Sequence, residues 1–147
     1  MSVKQLSIFL ENRPGRLVTV AKVLGDAGVS ILALSVADTK DFGILRLIVD
    51  DVAKADEALH GQGILCQISD VTAVEIGSAP GSLAFVLELF TKSGVNVEYM
   101  YAIAEPCSTH PVMVFRFDQP QAAQEALAAA GIHVCTDDEI LRHGQQA

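Results

Sequence analysis

Two Pro-Gly turns, Pro14-Gly15 and Pro80-Gly81, are the best candidates in this sequence for holding a small ligand. Each turn precedes an amphipathic helix pattern, and the first N–H groups of a helix have no intrahelical partner and carry the positive end of its dipole. A carboxylate binds readily at such a place. Pro-Gly is also common in a plain tight turn. The residues alone therefore leave two interpretations, a small-anion site and a purely structural turn.

The two turns differ in the polar residues around them. The first carries Asn12 before its Pro-Gly, with Arg13 and Arg16 on either side to add positive potential. In the second, Ser78-Ala79 and Ser82 occupy the corresponding positions. The sequence therefore predicts that the first loop makes the better site.

No catalytic, metal or cofactor motif accompanies these turns. The sequence contains no GxxxxGK[ST], GxGxxG or GxSxG pattern, no CxxC and no cluster of several Cys and His. Asp50-Asp51 and Asp137-Asp138 stand where helices begin or in the tail, which favours capping over acid–base chemistry. We therefore expect no catalytic residue, no metal site and no cofactor. The histidines and cysteines considered for such roles are His60, His110, His133, His143, Cys66, Cys107 and Cys135.

Composition excludes several kinds of partner. Ten basic residues are scattered among 18 acidic ones, with a net charge of −8, so nucleic acid and anionic membranes are not expected. We find no secretion signal at the start and no apolar run near the ~20 residues of a membrane span. Three cysteines without pairing motifs predict free thiols in the cytoplasm. With 5% aromatic residues, the core is expected to be aliphatic.

The sequence contains one unit twice. The two Pro-Gly turns lie 66 residues apart, and so do Gly28-Val29 and Gly94-Val95. Between these anchors the helix pattern repeats its buried face at i, i+3, i+4 and i+7. Farther along, Asp50 matches Asp118 at an offset of 68. We interpret the chain as a duplication with two residues added to a loop of the second copy.

Each copy predicts strand, helix, two strands, helix and strand, which is the ferredoxin-like βαββαβ arrangement. This is an α+β fold with antiparallel sheets and helices on one face. We expect the sheet of each copy, residues 1–69 and 70–147, to pack on its sister copy or to extend into it. Ser69-Asp70 is the expected break between them. The predicted strands are 4–10, 30–39, 44–49, 64–67, 72–76, 96–104, 112–117 and 132–135, and the second helices are 53–60 and 121–130.

The first half, LSIFLENRPGRLVTVAKVLGDAGVSILALSVADT, resembles an ACT domain, and VTAVEIGSAPGSLAFVLELFTKSGVNVEYMYAIA resembles a second one. The shared signature is a first strand, a polar residue, x-PG-x-L, an amphipathic helix, a Gly and then the second strand. Both matches together cover about residues 3–136. Small stand-alone tandem ACT proteins are the nearest likeness, through Ala37–Arg46 and Glu98–Tyr101.

The resemblance implies that the two domains are joined side by side and that a free amino acid binds at the seam between ACT domains. The loop after the first strand and the second strand of a neighbour would form that site. Helix-start amides would hold the ligand's carboxylate, while strand carbonyls with Asp38 or Asn12 would accept from its ammonium group. Tyr99 and Tyr101 are possible walls, or ordinary strand packing. The implied binding residues are Asn12, Arg13, Pro14, Gly15, Arg16, Leu17, Leu34, Ser35, Ala37, Asp38, Ala79, Gly81, Ser82, Leu83, Tyr99 and Tyr101.

The resemblance further implies a non-catalytic, allosteric regulatory protein in the form of a homodimer, which senses an amino acid and modulates a partner metabolic enzyme or its own assembly. One alternative is a detached regulatory subunit of the acetolactate synthase small-subunit type, although that type carries one ACT domain with a different C-terminal domain. A second is an acylphosphatase-like hydrolase of the same topology, using Arg13 and Asn12. A third is a dimerisation module without a ligand.

Overall fold

The computed structural model describes residues 2–11, 13–38, 42–103 and 110–145, with the side chains of Asp38 and of residues 142–145 left aside. The chain forms two compact units. We call Lys4–Ser69 the N-terminal unit, and Asp70–Ala147 together with Met1–Val3 the C-terminal unit. None of the described helices is long and apolar enough to span a membrane.

The elements follow the predicted order, except that two predicted strands form one strand and that a further helix follows the last strand. They are β1 (Val3–Glu11), α1 (Arg16–Asp26), β2 (Ile31–Asp38), β3 (Phe42–Val49), α2 (Val52–Gly61), β4 (Cys66–Glu75), α3 (Ser82–Lys92), β5 (Val97–Ala102), β6 (Val112–Phe117), α4 (Pro120–Ala129), β7 (Val134–Cys135) and α5 (Asp137–Gln145). The expectation of antiparallel sheets combined with helices is confirmed.

The N-terminal unit is built on the antiparallel strands β2, β3 and β1, in that order. Alternate residues of β1 face its core, and α1 and α2 add the apolar stripes that helical periodicity predicts. This core is aliphatic, as expected. Its buried members are Leu6, Ile8, Leu10, Val20, Leu24, Val29, Leu45, Leu47, Val49, Ala55 and Leu59.

The C-terminal unit arranges its strands in the order β7, β4, β6, β5, all antiparallel. Its core contains three phenylalanines, Phe90, Phe115 and Phe117, with ring centroids 4.7 to 5.5 Å apart. The expectation of an aliphatic core is therefore wrong for this unit. Half of the chain's six phenylalanines are concentrated at one place, and a low overall aromatic content does not reveal such clustering.

In both units, the aspartate after the third strand makes two hydrogen bonds to the residue before the second strand. We call this pair of bonds the aspartate clamp. Asp50 accepts from the Ser30 N–H at 2.9 Å and donates its own N–H to Ser30 O at 3.1 Å. Asp118 makes the same two bonds to Asn96, at 2.8 and 3.2 Å. The aspartates proposed to be equivalent in sequence thus make equivalent bonds.

Helix ends also follow the predicted rules. Gly28 and Gly94 lie just beyond α1 and α3 with φ values of 73° and 70°, the left-handed conformation that favours glycine. Asp51 caps α2 by accepting from the Lys54 N–H at 3.1 Å, and Pro120 occupies the first turn of α4. The role of Asp51 matches the capping predicted at Asp50-Asp51.

Three boundaries differ from the prediction. The strands expected at 64–67 and 72–76 form one continuous strand, β4, so Ser69-Asp70 is not a break in secondary structure. The sequence predicts no helix after residue 135, whereas helix α5 begins at Asp137. His133, expected on a strand, lies just before β7. The apolar patterns on both sides of Ser69-Asp70 share the strand period of two, and polar residues alone do not interrupt a strand.

Candidate functional site

Gly15 and Gly81 stand in the same conformation at the start of equivalent helices. Their φ values are 89° and 88°, and neither is joined by a side-chain cap bond from the described residues. The carbonyl of Gly15 accepts from the Thr19 N–H and that of Gly81 accepts from the Phe85 N–H, each at 3.0 Å. The prediction that both Pro-Gly turns begin helices is confirmed.

Glu11 forms ion pairs with both arginines of the first loop. Its Oε2 lies 2.8 Å from Arg13 Nε and 3.7 Å from Arg16 Nη2. The positive potential expected from these arginines is therefore reduced, because one carboxylate of the chain faces both, and the three side chains together keep one positive charge. Leu17 is exposed, Pro14 lies in the turn, and Asn12 is outside the described residues.

Gly77 and Ser82 replace this ion pair in the second loop. At the offset of 66, Gly77 corresponds to Glu11 and Ser82 to Arg16. A Cβ built on Gly77 would lie 2.9 Å from Ser82 Oγ, so glycine is what allows this serine to approach the chain. The second loop thus presents a hydroxyl and backbone where the first presents two charged side chains.

Two adjacent depressions border the second loop. The four residues predicted there, Ala79, Gly81, Ser82 and Leu83, all line the one of about 310 Å³. Its remaining lining residues, which sequence reasoning missed, are Ile76, Gly77, Ser78, Pro111 and Met113. The other, of about 340 Å³, is lined by Glu75, Gly77, Pro80, Gly81, Ser82, Phe85, Val86 and Ile132.

The missed lining residues lie on two different elements. The repeat could have indicated Gly77 as a site residue, since it corresponds to Glu11 beside the predicted loop. Pro111 and Met113 come from the start of β6, which lies about 30 residues farther along the sequence. A single sequence carries no direct signal for that long-range contact.

The predicted positions on β2 do not share one face. Leu34 is opposite the core residue Leu47, whereas Ser35 and Ala37 are opposite Arg46 and Ile44, on the other side of the sheet. Leu34 is 51% exposed because β2 is the outer strand of this sheet. The Asp38 backbone pairs with Gly43, and its side chain lies outside the described part.

Tyr99 and Tyr101 lie on β5, opposite Arg116 and Val114. Tyr101 is buried, at 8% exposure, and Tyr99 is half-buried. Among the residues described as lining the two depressions, neither tyrosine is present. Their role as walls of a site therefore stays a prediction.

One group of potential metal ligands was not visible in the sequence. His133, Cys135 and Glu139 bring their ligating atoms within 4.8 Å of one another. The sequence did not indicate this group for two reasons. Metal motifs were sought among Cys and His and not Glu, and the turn into α5, which carries Glu139, was not predicted. Of the other two cysteines, Cys66 is free and Cys107 lies outside the described residues, and so does the His143 side chain.

Comparisons with known proteins agree with this architecture. The solved structure of protein BT0572 from Bacteroides thetaiotaomicron is 36% identical, has a TM-score of 0.89 and matches over 97% of both chains. The regulatory subunits of aspartate kinase from Thermus thermophilus and Thermus flavus are 18% and 21% identical. Their TM-scores of 0.62 and 0.60, over 86% of this chain and 91% of theirs, show a shared fold.

Comparison with curated protein sequences gives no match. The family described as an ACT domain pair matches residues 1–143, nearly the whole length of the chain. The repeat, the two Pro-Gly helix starts and the duplicated aspartate clamp agree with that match. The chain belongs to the ACT domain pair family.

Proposed function

We propose that this protein is a non-catalytic, cytoplasmic regulatory protein that binds a free amino acid and modulates a partner enzyme or its own assembly. The depression of about 310 Å³ beside Gly81 carries the proposal, because it combines a helix start with room for a small molecule. Membership in the ACT domain pair family supports it. The odd number of cysteines without a pairing motif supports a reducing compartment.

The ligand's carboxylate would accept from the N–H groups at the start of α3. These groups lie at the positive end of the helix dipole, where charge-assisted hydrogen bonds to an anion are strong. Ser82 Oγ would donate a further hydrogen bond, and Leu83 and Met113 would contact an apolar side chain of the ligand. Two apolar contacts of this kind favour an aliphatic amino acid over a charged one.

The geometry favours the second loop over the first, which reverses the preference predicted from the sequence. A ligand carboxylate at Gly15 would compete with Glu11 for Arg13 and Arg16. Exposed ion pairs contribute only about 0–1 kcal/mol, so this competition weakens binding without abolishing it. The first loop, with Asn12, Arg13, Gly15 and Arg16, is therefore proposed as a weaker site.

Assembly into a homodimer is part of the proposal. β2 is the outer strand of its sheet and exposes Leu34 and Val36, at 51% and 48%. An outer strand with unpaired backbone groups and apolar side chains is suited to pairing with another strand. Leu34, Ser35, Ala37 and Asp38 are proposed to contact the ligand only in such an assembly.

A separate regulatory subunit of a biosynthetic enzyme is a second candidate. The solved regulatory subunits of aspartate kinase share this fold over 91% of their length. A chain of this architecture is thus known as a regulatory subunit in its own right, which favours a partner enzyme over regulation of self-assembly alone. Co-purification of a biosynthetic enzyme with the tagged protein would distinguish the two.

The experiment is a thermal-shift screen of the twenty amino acids, followed by calorimetry on Gly81→Ala and Gly15→Ala. Both glycines have φ near 89°, and a Cβ on either meets nothing within 4 Å, so the two variants carry matched backbone strain. A ligand at 100 times its Kd adds about 2.7 kcal/mol to the free energy of unfolding. We expect Gly81→Ala to weaken binding at least tenfold more than Gly15→Ala.

Two outcomes would contradict these statements. If only Gly15→Ala weakens binding, the first loop is the principal site and the preference stated here is wrong. If no amino acid raises the melting temperature, the sensor proposal fails and a dimerisation module without a ligand is favoured. Hydrolysis of an acyl phosphate by the pure protein would instead establish the enzymatic alternative.

A further inference from the structure

Three side chains of types that bind transition metals converge at the end of the C-terminal unit. His133 precedes β7, Cys135 ends β7, and Glu139 lies in the first turn of α5. Their ligating atoms all lie within 4.8 Å of one another, and His133 Nε2 is 2.6 Å from Glu139 Oε2. Imidazole nitrogen, thiolate sulfur and carboxylate oxygen are the three donors that zinc takes in proteins.

The backbone holds each of these residues in place. Cys135 pairs with Ala73 in the β4–β7 ladder, and His133 O accepts from the Glu75 N–H at 3.2 Å. Thr136 begins α5 by accepting from the Glu139 N–H at 3.2 Å, and its hydroxyl donates to Glu139 Oε1 at 3.3 Å. The donors are thus fixed by a strand, a capped helix and the short turn between them.

The exposure of the three side chains is suited to binding a metal ion from solution. Cys135 is 3% exposed, so its sulfur is shielded from solvent, whereas the side chains of His133 and Glu139 are 52% and 32% exposed. An ion can therefore approach from the solvent side past His133 and Glu139. Three protein donors leave a fourth position for water or an external ligand.

The charges around Cys135 favour a cation. The carboxylates of Glu139 and Glu75 both act electrostatically on the Cys135 sulfur. In the metal-free protein these two acidic side chains disfavour a negative charge on the sulfur. A bound dication reverses this effect because it stabilises the thiolate directly.

We propose that His133, Cys135 and Glu139 form a binding site for a zinc-type transition-metal dication. The inference is independent of the proposed amino-acid site. On binding, the Sγ–H bond of Cys135 breaks, its proton leaves to water and a sulfur–metal bond forms. The proton of the hydrogen bond between His133 Nε2 and Glu139 Oε2 is also displaced, to water or to His133 Nδ1, and two bonds to the metal replace that hydrogen bond.

The adjustment that zinc requires is small. Tetrahedral zinc with bonds of about 2.0–2.3 Å separates its ligand atoms by about 3.3–3.6 Å. The His133 nitrogen and Glu139 oxygen must therefore move apart by about 0.7 Å from their present 2.6 Å. The Cys135 sulfur lies within 4.8 Å of the other two donor atoms and must approach them by up to about 1.2 Å. Rotation of the two partly exposed side chains is sufficient for such a change.

The competing explanation is that His133 and Glu139 merely join α5 to β7 by an ion pair. Zinc titration with a competing chelator, and Co²⁺ absorption spectra of the chelator-treated full chain, separate the two explanations. We expect one equivalent of metal and a near-ultraviolet charge-transfer band from a Co²⁺–thiolate bond. Cys135→Ser should abolish this band.

His133→Gln and Glu139→Gln provide the test should Cys135→Ser fail to fold, since both side chains are partly exposed. Each should weaken zinc binding on the order of 100-fold or more, because even residues that only orient a metal ligand contribute 10–100-fold. The matched control is the Cys66→Ser, Cys107→Ser double variant, which retains only Cys135 and should keep the band. Absence of the band in the unmodified chain, its persistence in Cys135→Ser or its loss in the control would overturn the proposal.

Discussion

At the scale of single residues, a pair of exchanges distinguishes the two ligand loops. Glu11 and Arg16 of the first loop become Gly77 and Ser82 in the second. A contact between charged groups is thereby replaced by a close approach of a hydroxyl to the backbone. The same backbone turn is therefore surrounded by charged side chains in the first loop and by a hydroxyl and backbone in the second.

The thiol of Cys66 provides a residue-scale prediction. Its pKa is raised to about 12, first by burial, then by the hydrogen bond to Asp56 at 2.9 Å and by the charge of that carboxylate. Only the thiolate reacts with alkylating agents. We expect iodoacetamide to modify Cys66 at pH 8 on the order of 100-fold more slowly than an unperturbed thiol, as mass spectrometry of its peptide would measure.

Asp56→Ala should accelerate that modification, because it removes two of the three causes of the shift and leaves burial. The sign for stability follows from the same shift. A folded-state pKa above the unfolded value contributes stability that is complete below pH 9 and is lost as the pH rises towards 12. Equal alkylation rates in the original chain and Asp56→Ala would contradict the assigned cause.

At the scale of elements, the residues at helix ends differ between the two copies at one helix and agree at the other. Asp51 caps α2, whereas at α4 the N-cap Gln119 makes no side-chain cap bond and Pro120 occupies the first turn. The two copies thus begin equivalent helices by different means. Glycines with positive φ, such as Gly28 and Gly94, end the first helix of each copy in the same way.

Replacing Asp51 tests the cap. Asp51→Ala should lower the free energy of unfolding by about 1 kcal/mol, because the Lys54 N–H loses its acceptor. Asp51→Asn should cost much less, since asparagine caps about as well as aspartate. Urea denaturation measures both. A loss in the Asn variant as large as that in the Ala variant would show that charge, and not the cap bond, stabilises the helix start.

At the scale of the whole molecule, the duplicated fold was predictable because its two copies repeat the same patterns. The alternation of β1, the stripe of α1 and the glycines after it identified the elements correctly. The contact of Glu11 with Arg13 and Arg16 was not predictable, because adjacency of charges in sequence does not fix side-chain direction. Helix α5, which supplies Glu139, was missed because its polar sequence lacks an apolar stripe.

The two cores provide a prediction at this scale. Phe90 and Leu24 occupy equivalent positions, 66 residues apart, on the buried faces of α3 and α1. Phe90→Ala should cost about 3–5 kcal/mol and Leu24→Ala about 2–5 kcal/mol, because each leaves a cavity in a packed core. We expect the larger loss for Phe90→Ala, since its ring contacts both Phe115 and Phe117.

Equilibrium unfolding in urea, followed by circular dichroism, measures both losses. A conservative control, Leu24→Met, keeps most of the volume and should cost less than about 1.5 kcal/mol. A cost below 1 kcal/mol for Phe90→Ala would show that the three rings do not form a packed cluster. The comparison also reports whether the two halves of the chain are equally stable.

The ion pairs of Glu11 make the first loop the one that dissolved salt acts on. Salt screens exposed charges, whereas the contact of Ser82 with Gly77 involves no charge. The same screening weakens the pairing of Glu11 with the arginines and the attraction of those arginines for an incoming carboxylate. Because an exposed pair contributes at most about 1 kcal/mol, ionic strength can alter the affinity of the first loop by about fivefold and cannot turn that loop on or off.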